Sequence, residues 1–86
     1  MDFKNFTDDD FMALFMALRL RQEGITEKLE ALPKRIAEAK ENGWREITSA
    51  LELDSERLTK ELASNLKLLE LAYNGRDEEY RRRYKA

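Results

Sequence analysis

Residues 11–18 read Phe-Met-Ala-Leu-Phe-Met-Ala-Leu, a four-residue unit written twice. A helix turns about 100° per residue, so a period of four sets like side chains in near-vertical stripes. Phe11 stacks with Phe15, Met12 with Met16, Ala13 with Ala17 and Leu14 with Leu18. The Leu, Phe and Met stripes together cover an arc of roughly 200°, about twice the apolar stripe of an ordinary surface helix. Such a helix has to be surrounded. A chain of 86 residues offers little to surround it, so part of this face is expected to meet another chain.

The remaining composition points to an all-helical protein. Leu recurs at helical spacings, there are 3 Gly and 1 Pro, and Val is absent. The fold expected is a single all-α domain over residues 1–86, a small bundle of about four helices with a short C-terminal helical tail. A chain of this size buries only about 60–65% of its unfolded surface. Charged residues make up 40% of the chain, with 16 bases against 18 acids and a net charge of −2. Only residues 74–86 are basic, with five bases to three acids.

Several functions are disfavoured. Without cysteine there is no disulfide, thiolate metal site or thiol nucleophile, and without histidine the commonest general base and zinc ligand are missing. No Gly-rich phosphate loop and no nucleophile–base pair stands out. The expectation is a protein that is not an enzyme and takes no cofactor, metal or small-molecule substrate. Eight apolar residues span about 12 Å, too short for a bilayer. They follow Asp8-Asp9-Asp10 rather than a basic region. No membrane partner and a cytoplasmic location are expected.

Helix boundaries can be read from caps. Thr7 fits an N-cap with Asp10 three places on, Phe6 and Phe11 fit a hydrophobic staple, and three aspartates suit the helix dipole. The aspartates diverge by about 100° each, so they cap rather than converge on a cation. This helix is expected to reach Gln22 and to end at Gly24. Ile25, Leu29, Leu32, Ile36, Ala39 and Gly43 then form a heptad seam. Pro33 falls inside it, which predicts one kinked helix ending at Asn42-Gly43. A short helix from Trp44 to Leu53 turns Ile47, Ala50 and Leu51 inward, with Trp44 in the core. A capped start at Asp54 opens a longer helix with Leu58, Leu62, Leu66, Leu69 and Tyr73 inward. Asn74-Gly75 ends it. The tail pairs Glu78 with Arg82 and Glu79 with Arg83 at the favourable spacing of four.

Residues 46–62 resemble a helix-turn-helix: a short helix, a tight turn at Leu51-Glu52-Leu53 and a capped second helix. Glu52 stands where that motif usually carries glycine, and Thr48 at its small-residue position. The resemblance implies a DNA-binding regulator with Ser55, Arg57, Thr59 and Lys60 near the bases, helped by Arg81, Arg82 and Arg83. Charge weighs against it, because Trp44 to Tyr73 carries four bases against six acids and phosphate neutralisation supplies most non-specific affinity. The stronger expectation is a small regulatory or adaptor protein that binds another protein, or itself as a homodimer, through a helix face. Its expected anchors are Phe11, Met12, Phe15 and Met16, with Arg19 at the edge.

Overall fold

A computed structural model describes residues 2–85 and consists of two long helices, α1 (Asp8–Glu41) and α2 (Arg45–Tyr84), folded back on each other. The result is a helical hairpin measuring 66 × 16 × 16 Å. It replaces the expected four-helix bundle. The all-α class holds, but the breaks expected at Gly24, at Leu51-Glu52-Leu53 and at Asn74-Gly75 all lie inside continuous helix.

The reason is a seam longer than any local stop signal. On α1, the residues from Phe11 to Ala39 that advance in alternating steps of four and three are all buried or half-buried. On α2 the same alternation runs from Thr48 through Leu51, Leu58 and Leu69 to Arg83, again without an exposed member. Both helices therefore carry one coiled-coil stripe from end to end. A glycine inside a helix costs about 1 kcal/mol, less than the 1.5–3 kcal/mol or so gained from each large apolar side chain the continued seam buries. Pro33 is tolerated for a related reason. It sits on an exposed position next to the seam, where water can satisfy the carbonyl that its missing N–H leaves free.

The termini of α1 follow the expected chemistry. The Thr7 hydroxyl accepts from the Asp10 N–H at 3.1 Å, and the Asp10 carboxylate accepts from the Thr7 N–H at 2.9 Å, closing a capping box. The Phe6 and Phe11 rings lie 5.1 Å apart, completing the staple. At the other end Gly43 adopts φ 71. The Trp44 N–H bonds to the Ala39 carbonyl and the Gly43 N–H to the Lys40 carbonyl, the double closure of a Schellman turn.

The core divides in two. Near the turn, Ile25, Leu32, Ala39, Leu51 and Leu58 form an aliphatic cluster. Towards the open end, Phe3, Phe11, Phe15, Leu18, Leu69 and Ala72 form an aromatic one. Several inward assignments on α2 are corrected. Ile47, Ala50 and Leu66 are exposed, and Asn65 takes the buried seam position beside Leu66. A stripe read as Leu62-Leu66-Leu69 follows hydrophobicity alone, whereas the heptad phase set by Leu51 and Leu58 selects residue 65. Trp44 is half exposed at the turn rather than in the core. No described helix is long and apolar enough to cross a membrane.

Candidate functional site

The seam fixes which face of the tandem unit looks inward. Phe11, Phe15 and Leu18 are buried, so the two phenylalanines expected as anchors pack in the core instead of on the surface. Phe15 stacks on Tyr73 with ring centroids 4.3 Å apart, and Phe11 meets the edge of Tyr80 at 6.2 Å. The Arg76 guanidinium lies over Phe15, Tyr73 and Tyr80 at 5.0, 5.3 and 5.9 Å. A cation embraced by three rings gives the open end a polar residue that packs like an apolar one.

The methionines turn outward. Met12 is 61% exposed, Met16 57% and Leu20 65%, and their spacing of four makes them one continuous stripe. Arg19 borders it, with its guanidinium donating to the Tyr73 hydroxyl and lying 5.9 Å from that ring. Of the four anchors expected from the sequence together with Arg19, the fold therefore brings Met12, Met16 and Arg19 to one surface. It adds Leu20, one turn beyond Met16 and two residues past the repeated unit, so the repeat itself carries no signal for it.

The two flanks of the hairpin differ in chemistry. One flank includes two cross-helix contacts, Arg19 with Tyr73 and Lys40 with Glu52 at 3.6 Å. In each pair the residue numbers rise by sevens on α1 as they fall by sevens on α2. The same antiparallel register sets Met12 opposite Tyr80 and Thr26 opposite Leu66. On the other flank Lys28 and Arg35 of α1 and Asp54 and Arg57 of α2 line one cleft between the helices, a charged border. Exposed apolar residues thus gather at the open half of the rod: Met12, Met16, Leu20, Leu66, Leu71 and Tyr84. The remainder, Trp44, Ile47 and Leu53, lie near the turn.

The helix-turn-helix is not built. Residues 46–62 lie within α2 without a turn, because the seam runs through them at Thr48, Leu51, Ser55 and Leu58. Ser55 is half-buried on that seam. Arg57 is tied to Asp54 and Glu61 at 3.4 and 3.0 Å, and the Thr59 hydroxyl donates to the Ser55 carbonyl at 2.8 Å. Lys60 is exposed. The basic tail lies in line with this segment, about 33 Å farther along the helix, instead of folding beside it. Arg82 and Arg83 both pair with Glu79, at 2.5 and 3.4 Å, and Arg83 also donates to the Phe3 and Lys4 carbonyls. Glu79 and its hydrogen bond hold the Arg82 guanidinium even more firmly protonated than usual. Arg81 is exposed. Among the described residues no group of acidic side chains gathers as a metal site.

Comparison with protein-family models, curated proteins and solved structures finds no match to this chain.

Proposed function

We propose that this chain is a non-catalytic protein-binding module that works as an adaptor or regulator. Its contact face is the first half of α1, with Met12, Met16 and Leu20 as anchors and Arg19 at the edge. The observation that carries this is the exposure of those three large apolar side chains side by side on one helix. Scattered surface apolars are ordinary, but a contiguous stripe marks a contact surface. Methionine suits the task, since its flexible, polarizable side chain adapts to a partner's shape. Arginine beside it adds donors at the rim.

Photo-crosslinking tests this directly. A photoreactive methionine analogue at position 16 should yield an adduct with a polypeptide, while the same group at Lys34, on an exposed part of α1 nearer the turn, should not. The variant carrying Met12→Glu and Met16→Glu should lose that binding and keep its helical circular dichroism. Equal adducts from positions 16 and 34, or a double variant that unfolds, would remove the stripe as a binding face.

A further inference from the structure

The Met stripe carries a pattern that can complement itself. Asp9, Met12, Met16 and Arg19 are all exposed and advance by three, four and three residues, which is a second seam on the outside of α1. The order is acid, methionine, methionine, base. Turned end for end about the point midway between Met12 and Met16, a second α1 places Met16 on Met12 and Arg19 on Asp9. A two-fold axis generates each of these contacts twice. The arginine has donors to spare, because its observed contact to the chain is to the Tyr73 hydroxyl.

Area points the same way. A compact monomer of 10.2 kDa exposes about 5,300 Å² by the usual scaling. This hairpin exposes 6767 Å², a surplus of roughly 1,450 Å² over that scaling. A stable interface takes about 800 Å² from each partner, so the surplus is ample for one. The overlap would run along the open half of the rod, where exposed apolar residues are concentrated, and would leave the turn ends pointing apart. Resting on the binding face proposed above, we infer that its occupant is a second copy of this chain. The two α1 helices cross antiparallel, Met12 packs on the partner's Met16, and Asp9 pairs with the partner's Arg19.

A charge swap in the full chain tests the arrangement. By sedimentation equilibrium the native chain should be a dimer at roughly 100 µM, well above a micromolar Kd. Asp9→Arg and Arg19→Asp should each weaken the dimer by about tenfold, because each sets like charges together twice. The two changes combined in one chain should restore most of the affinity. A second measurement does not depend on helix-terminal charge. The chain has no cysteine of its own, so chains carrying Met12→Cys mixed with chains carrying Met16→Cys should form the mixed disulfide in preference to either homodisulfide. A monomeric native chain, additive losses in the charge swap, or dominant homodisulfides would each overturn the inference. A monomer whose position 16 still crosslinks to a different polypeptide would leave the binding face standing and remove only this occupant. A monomer with no specific adduct would remove both.

Discussion

The ring of Phe3 rests on the bare backbone of Gly75, so close that a Cβ at residue 75 would collide with it. Gly75 lies within α2 and Phe3 in the segment before α1. The missing side chain is thus the seat for a strap that closes the aromatic end of the hairpin. Phe3 also stands edge-on to Phe6 at 5.0 Å and lies 5.5 Å from Phe11. Arg83 holds the strap's carbonyls from the far end of α2.

Two effects oppose each other at Gly75→Ala. Alanine favours a helix interior by about 1 kcal/mol, while forcing a methyl into a filled contact costs about 1–3 kcal/mol. The collision is with the near side of a buried ring, so overpacking should win. Urea unfolding followed by circular dichroism should give a net loss of up to about 2 kcal/mol. Combining Gly75→Ala with Phe3→Ala should then cost less than the sum of the two separate changes. A gain in stability from Gly75→Ala alone would mean that the strap does not sit there.

Asn65 is fully buried, and its amide donates to the Leu18 carbonyl at 2.8 Å. Its side-chain oxygen has no partner among the described residues. The arrangement resembles the lone core asparagine that fixes register in coiled coils at a cost in stability. Asn65→Leu removes an unsatisfied acceptor and adds apolar contact, so the hairpin should gain about 1–2 kcal/mol. Register should loosen at the same time, seen as faster hydrogen exchange at the open end despite the higher urea midpoint. A loss of more than about 1 kcal/mol would assign the amide a stabilising role instead.

Asn65 also marks where the hydrophobic pattern of the sequence ceases to follow the seam. The seam from Ile25 to Ala39 is legible in the sequence, and its backward extension through Gln22, Leu18, Phe15 and Phe11 sorts the tandem unit into core and surface. A period of four by itself makes the Phe, Met and Leu stripes equivalent, so it does not separate Phe11 and Phe15 from Met12 and Met16. On α2 the seam passes through Thr48, Ser55, Asn65, Arg76 and Glu79, polar residues that a hydrophobic pattern skips. With half the seam polar, Asp54 and Asn74-Gly75 carry the local signals of helix boundaries. Their local preferences are worth about 1 kcal/mol each, and a continuous inter-helix contact along the rod exceeds them.

Pro33 offers a direct measure of that excess. It lies in unbroken α1 at an exposed position, so its replacement disturbs no core packing. Pro33→Ala restores one backbone hydrogen bond and removes a ring clash, which in a helix interior amounts to about 3 kcal/mol. Part of that returns as greater freedom in the unfolded chain, which proline restricts by about 0.4–1 kcal/mol. The net expectation is a stabilisation of about 2 kcal/mol, read as a higher midpoint in thermal or urea unfolding. No change, or a loss, would mean that the helix around residue 33 already has a local break that the alanine cannot close.

Tyr80 gives the open end a pH dependence of defined sign. The neighbouring Asp8 carboxylate, by hydrogen bonding and by its negative charge, together with desolvation, raises the Tyr80 pKa above the ordinary 10.0. Arg76 acts in the opposite direction and does not reverse the shift. A phenol whose folded pKa exceeds its unfolded value holds its proton more tightly in the folded state. The linked stability is therefore complete below about pH 10 and is lost as pH rises through the folded pKa. Unfolding midpoints measured between pH 8 and pH 11, converted with a common slope, should fall more steeply at the alkaline end for the native chain than for Tyr80→Phe. The edge contact with Phe11 survives in that variant, so a difference in alkaline slope isolates the ionisation. Parallel curves for the two proteins would dissociate Tyr80 from Asp8.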